Sequence, residues 1–130
     1  ECIREGIDIV PIPGASALTT AVSASGLPSD AFTFIGFLPT KKGRQKKISS
    51  LENLDTTIVL FESPHRLMKT LIQLKETLGE RPVVVARELT KLYEEIIRGN
   101  FSSVIEFFEL KKIKGELVII IGRNHDKIYF

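Results

Sequence analysis

Three short stretches of this 130-residue chain gather chemically able side chains where an apolar run ends. Glu62-Ser63-Pro64-His65-Arg66 sets a carboxylate, a hydroxyl, an imidazole and a guanidinium at the predicted start of a helix. A carboxylate there is favoured by the helix dipole and could accept hydrogen bonds from a ribose or an amine. The planar fork of Arg66 suits a phosphate. Arg87-Glu88-Leu89-Thr90-Lys91, followed by Glu94 and Glu95, crowds charge directly after another apolar run. Pro13-Gly14-Ala15-Ser16 precedes a helix almost bare of bulk, where a glycine admits a ligand to the backbone and a helix start offers free N–H groups. Sheets with helical connections place ligands at such strand-end turns. Each stretch also has a plainer reading: tight helix–sheet packing after Gly14, an ordinary capped helix at Ser63 and Pro64, a salt-bridged surface loop after Arg87.

A fourth feature is electrostatic. Lys41, Lys42, Arg44, Lys46 and Lys47 lie within seven residues that contain no acid. The other 13 basic and 16 acidic side chains sum to −3, so the chain is a mildly acidic body with one basic patch. Such a patch can track a phosphate backbone, or be no more than a solvated loop. No aromatic residue interleaves with the lysines, so stacking of bases within the loop is not expected.

The elements that must position these groups follow from periodicity. Ile7–Ile12 reads as a strand, and Pro13-Gly14 as the turn into a small-residue helix that ends at Gly26. Phe32–Phe37 is the next strand, and Ile48, Leu51 and Leu54 mark a helix after the basic loop. Thr57–Phe61 is a β-branched, apolar strand, predicted to be central. Ser63 as N-cap and Pro64 in the first turn open a helix with Leu67, Leu71, Leu74 and Leu78 on one face, stopped by Gly79. Val83–Ala86 and Glu95–Arg98 are strands with no helix-length segment between them, which predicts a hairpin. Asn100 caps a helix packed through Phe101, Val104, Ile105 and Phe108, and Leu117–Ile121 is the last strand. The alternation predicts an α/β fold with a mixed, mainly parallel sheet of about five strands, flanked by helices.

Composition excludes some classes. No apolar run approaches the roughly 18 residues of a membrane helix. The single cysteine, Cys2, cannot form an internal disulfide, so a reducing cytoplasm is the expected compartment. His65 and His125 stand far apart with no second ligand near either, so no metal site is expected. Cys2 to Gly6 reads as the last turn of a helix, and with glutamate rather than methionine at position 1 the protein is expected to continue upstream.

Taken together, Pro11–Ala17, Phe61–Arg66, Ala86–Lys91 and Gly115–Val118 resemble the C-terminal domain of the tetrapyrrole methylase superfamily. The Glu-Ser-Pro-His-Arg and Arg-Glu-Leu-Thr-Lys stretches are similar to its ribosomal RNA branch, the small-subunit rRNA (cytidine-2′-O)-methyltransferases. The resemblance implies an S-adenosyl-L-methionine cofactor held in a cleft between two domains. Ala15, Ser16, Phe61, Glu62, Glu88, Leu89 and Gly115 would bind it, with Glu62 and Glu88 as candidates for the base. Lys41, Lys42, Arg44, Lys46, Lys47, His65 and Arg66 would approach small-subunit rRNA or the ribosomal subunit. The N-terminal domain of that family carries a glycine-rich donor-binding loop that this chain lacks. Residues 1–130 are therefore expected to be a single C-terminal domain, inactive alone and partnered by the missing half, with a homodimer left open. The end also departs from the family: Gly122-Arg123-Asn124 stands where an acidic residue and a glycine are frequent. Two other readings remain at this point, a methylase of a small tetrapyrrole or corrin, and a non-catalytic RNA-binding module.

Overall fold

The computed structural model describes residues 1–124, so His125 lies outside the described residues. Five strands form one sheet: β1 (Phe32–Phe37), β2 (Thr57–Glu62), β3 (Pro82–Arg87), β4 (Glu95–Asn100) and β5 (Leu117–Ile121), in the order β1-β2-β5-β3-β4. Three helices, α2 (Arg44–Ser49), α3 (Leu67–Leu78) and α4 (Phe101–Glu109), cover one face. There Leu67, Leu71, Leu74 and Leu78 meet Ile58, Leu60, Val83, Val85, Ile119 and Ile121. The other face carries only α1 (Ala17–Ser25) among the described residues, which seats Ala21 and Val22 on Val84, Ala86, Val118 and Ile120.

The hairpin of β3 and β4, the leucine face of α3 and the Asn100 cap form as the sequence predicts. The Asn100 side chain accepts from the Ser103 N–H at 2.9 Å. The sheet is mixed and five-stranded, but it is not mainly parallel. Among the described strands β1 and β2 alone pair in parallel, while β2–β5, β5–β3 and β3–β4 are antiparallel. The connection explains the difference. The crossover β2-α3-β3 skips a slot in the sheet, and β4-α4-β5 fills that slot with β5 running the other way. Leu117–Ile121 is buried along its whole length. Apolar runs of that kind report helices on both faces, not the direction of the neighbouring strands.

Ile7–Ile12 is not a strand. Ile7, Ile9, Val10 and Ile12 are exposed, and no strand of the described residues pairs with them. Cys2–Gly6 is a hydrogen-bonded turn closed by Gly6 at φ +64°, with the Ile7 N–H donating to the Cys2 carbonyl at 3.0 Å. The helix after the basic loop is shorter than its leucines suggest. It ends at Ser49, and the buried Leu51 and half-buried Leu54 sit in the turns that follow. Ser63 does not cap α3, which begins at Leu67 after a separate turn over residues 63–66. One irregularity interrupts β1, where the register against β2 jumps from Phe34↔Val59 to Gly36↔Leu60.

Candidate functional site

The predicted polar turns converge. A hollow of about 190 Å³ is lined by Ala15, Ser16, Ala17 and Thr20 from the start of α1, Leu89, Thr90 and Lys91 from the turn after β3, and Glu116 and Val118 from β5. Beside it a second, of about 310 Å³, is lined by Phe37, Phe61, Glu62 and Leu117 together with Ala17, Glu116 and Val118. The three shared residues join the hollows into one trough along a single edge of the sheet. Ligand sites typically enclose roughly 300–1,000 Å³.

Small side chains make the floor. Ser16 caps α1, its hydroxyl accepting weakly from the Thr19 N–H at 3.5 Å, and the alanines beside it leave space that a larger residue would fill. The helix therefore begins at Ala17, with Ala15 and Ser16 ahead of it on the trough.

Glu62 is committed to its own turn. Only 3% exposed, it accepts from the Ser63 N–H at 2.7 Å, from Arg66 Nε at 2.9 Å and from the Thr70 hydroxyl at 2.7 Å. This carboxylate, rather than the Ser63 hydroxyl, satisfies the N–H at the start of the turn. Thr70 in turn accepts from Arg44 Nη2 at 2.7 Å.

Arg44 is accordingly not part of an exposed patch. It is 6% exposed, with Nε on Gln73 Oε1 at 2.8 Å and Nη1 on the Pro39 carbonyl at 3.1 Å. Neighbouring charges in sequence cannot all face water when α2 must pack on α3, and the rigid guanidinium fork can satisfy several acceptors at once. Lys41, Lys42, Lys46 and Lys47 are exposed, as is His65, and Arg66 is partly exposed beside Glu62.

Glu88 sits at φ +50° and Thr90 at φ +64°, the two non-glycine residues with left-handed backbone among those described. A β-branched residue there is unusual and marks a constrained turn. Glu88 Oε1 accepts from the Glu116 N–H at 2.8 Å and from Lys91 Nζ at 3.0 Å, and the Glu88 N–H donates to the Glu116 carbonyl at 2.9 Å. The Glu116 N–H, followed by Lys91, holds the Glu88 carboxyl below the ordinary glutamate range. Lys91 is raised, by Glu88 first and then by Glu116. Gly115 lies directly against this staple: at φ +92°, a Cβ on it would come within 2.5 Å of the Glu88 side chain. The residues after the turn do form surface ion pairs, Arg87–Glu95 at 3.2 Å and Lys111–Glu95 at 2.7 Å. The plainer reading of this stretch and the cavity-lining one both apply, to different residues of it.

Of the expected donor-binding set, Ala15, Ser16 and Leu89 line the first hollow, and Phe61 and Glu62 line the second. Glu88 and Gly115 brace the wall through Glu116. Outside that set, Thr90, Lys91 and Glu116 also line the trough and lie within the stretches the sequence singles out, whereas Thr20 and Phe37 were not marked as site residues. The signal for Phe37 was present: a glycine inside an aromatic strand marks a bulge. Among the described residues, no three His, Cys, Asp or Glu side chains gather as metal ligands, and no helix is long and apolar enough to cross a membrane.

The sequence model of the Tetrapyrrole (Corrin/Porphyrin) Methylases matches residues 1–105. The chain belongs to the tetrapyrrole methylase family. Among curated members, it is 48% identical over 122 residues to ribosomal RNA small subunit methyltransferase I of Thermotoga maritima, covering 94% of this chain and 55% of that protein. To the protein of the same name from Halalkalibacterium halodurans it is 45% identical, covering 97% of this chain and 44% of that protein. This tetrapyrrole methylase chain thus spans about half the length of the curated relatives it matches. The fold is that of a cobalt precorrin-4 methyltransferase (TM-score 0.66, 24% identity, 96% of this chain and 56% of that one). It is also that of a Thermus thermophilus uroporphyrin-III C-methyltransferase complexed with S-adenosyl homocysteine (TM-score 0.59, 17% identity, 95% and 56%).

Two outcomes follow from the site's packing. Arg44→Ala destabilises the protein by roughly 3 kcal/mol in urea denaturation, because buried acceptors lose charged hydrogen bonds, while Lys42→Ala stays within about 0.5 kcal/mol. The Glu88 contribution follows from its depressed folded-state value: it is complete above the ordinary 4.5 and is lost as pH falls through the folded value. Melting curves of wild type and Glu88→Gln therefore differ at neutrality and converge in acid below pH 4.5. Gly115→Ala abolishes that difference, since the added methyl displaces the carboxylate.

Proposed function

We propose that this chain is the C-terminal half of an S-adenosylmethionine-dependent methyltransferase that modifies small-subunit rRNA, with a cytidine ribose 2′-oxygen as the acceptor. One observation carries the reading: the stretches that resemble the rRNA branch, far apart in sequence, line a single trough beside an exposed lysine loop. The names of the curated relatives support small-subunit rRNA as the substrate, and the S-adenosyl homocysteine complexed with one protein of the same fold supports the donor.

The trough suits an adenosine-sized donor because its floor is built from Ala15, Ser16 and Ala17 and its wall from Leu89 and Thr90. When bound, S-adenosylmethionine supplies a sulfonium methyl that is already electrophilic. What the protein adds is approximation, which can be worth about 7–11 kcal/mol in well-oriented model reactions. Glu62 and Glu88, the expected bases, are engaged by donors of their own, and Glu88 is more acidic than an ordinary glutamate. Their role in this reading is to hold the trough's ends in register. Lys41, Lys42, Lys46 and Lys47, with His65 and Arg66, meet the RNA backbone. The exposed Ile7, Ile9, Val10 and Ile12 pack on the upstream half of the protein, which completes the donor site; without it the chain is inactive. A cytoplasmic location fits the rRNA substrate and the unpaired Cys2.

The test is transfer of labelled methyl from S-adenosylmethionine to unmodified small-subunit rRNA by the full-length protein. Label is expected in a dinucleotide that resists alkali, because alkaline cleavage needs a free 2′-hydroxyl. Label in alkali-sensitive mononucleotides would refute ribose methylation. RNA binding with no donor binding would favour a non-catalytic module, and labelling of a porphyrin or corrin in place of RNA would favour the tetrapyrrole reading. Replacing Lys41, Lys42, Lys46 and Lys47 by serine should weaken rRNA binding and flatten its salt dependence, each lost phosphate contact lowering the log–log slope by about 0.7–0.9. Donor affinity should not change.

A further inference from the structure

We propose that Phe37 is a stacking platform for an unpaired base of the RNA acceptor, standing between the basic loop and the donor trough. The proposal rests on the rRNA reading above. It begins from an irregularity in β1. In a regular strand alternate residues share a face, so Phe32 and Phe34 would lie together and Phe37 would point to the other side. The pairing of β1 with β2 skips Ile35: Phe34 faces Val59, Gly36 faces Leu60 and Phe37 faces Phe61. Gly36 makes this possible at φ +72°, a conformation that costs glycine little. The extra residue returns Phe37 to the face of Phe34 and Phe61. Bulges are used in this way to re-aim side chains beside sites.

The aromatic ring so aimed remains 59% exposed. It meets Phe61 edge-on, with centroids 5.8 Å apart and planes at 62°, and Phe61 is braced from its other neighbour, Phe34, at 4.9 Å. Phe37 thus lines the second hollow of the trough with Phe61, Glu62 and Glu116, beside the first, where Ala15, Ser16, Ala17, Leu89 and Thr90 suit the donor. Two residues further along, Pro39 shares a surface depression with Gly43, Lys46 and Lys47. Two residues of chain reach about 7 Å, so the open aromatic ring and the start of the basic loop lie at the same end of β1. Single-stranded nucleic acid is recognised by this combination, phosphates by a basic groove and bases by stacking on aromatic faces. A ribose can enter a trough between strand ends only if its nucleotide leaves its neighbours, and a ring at the rim replaces the lost stacking.

The experiment compares wild type, Phe37→Leu and Phe37→Trp in the full-length protein, using unmodified small-subunit rRNA and labelled S-adenosylmethionine. Phe37→Leu is expected to lower kcat/KM for rRNA about 10-fold or more, in line with the loss of one stacked base. Phe37→Trp should restore it, and calorimetric donor affinity should stay within about twofold in both, which also reports that the variants fold. Unchanged methyl transfer in Phe37→Leu overturns the platform while leaving the rRNA reading intact. A parallel loss of donor affinity assigns the ring to the donor instead, and a change in sedimentation assigns it to self-association; either overturns the proposal. A wild-type protein that binds donor and transfers nothing to rRNA overturns both readings.

Discussion

The insertion of β5 between β2 and β3 is the constraint from which the site follows. β2 and β3 run in the same direction, and β5 runs against both, with Leu117 paired to Glu62 on one side and to Arg87 on the other. The last residues of two strands and the first residue of the third are thereby locked to one edge by ladder hydrogen bonds. Their flanking turns, at Ser63, Glu88 and Glu116, must emerge side by side. α1 packs on β5 and β3 of the same face and brings Ala15 and Ser16 to that edge. The ladders on both sides of β5 fix its register against β2 and β3 together, and with it the register of the trough.

Polar groups then fix what the sheet brings together. The Glu62 carboxylate is buried with three donors around it, and the chain of contacts continues from Thr70 to Arg44 and on to the Pro39 carbonyl. A buried carboxylate or guanidinium left with fewer partners would be costly, so this network holds together or not at all. It ties the end of β2, the first half of α3 and the base of the lysine loop into one unit. On the other side of β5, Glu88 performs the corresponding task for Glu116 and Lys91. The lysines, by contrast, have solvent around them and contribute field rather than structure.

Much of this was legible in the sequence, and for identifiable reasons. Leu67, Leu71, Leu74 and Leu78 recur at helical spacing because one face of α3 is buried. Asn100 announces α4 because its side chain replaces a missing helical acceptor. Leu117–Ile121 and Phe32–Phe37 were located to the residue by their composition. The turns at Glu62 and Glu88 stood out because charge is crowded directly after an apolar strand, and the turn at Gly14 because small residues there suit either tight packing or a ligand. All of these are local properties, decided within one or two turns of chain.

What only the tertiary structure decided is non-local. Burial on both faces looks the same in a parallel and an antiparallel neighbour, so strand direction depended on which crossover filled the gap left by the other. Arg44 reads as one of five cations in sequence, and its burial depends on Thr70 and Gln73, 26 and 29 residues further along the chain. Ile7–Ile12 has the composition of a strand, but a strand needs a partner, and none of the described strands lies beside it. Phe37 is turned by one unpaired residue in β1, a shift that period-2 reasoning cannot contain. Side-chain identity and spacing determined which elements exist and which residues were worth watching. Hydrogen bonding between distant segments decided who faces whom, because a ladder partner or a buried acceptor is a property of the fold and not of the residue.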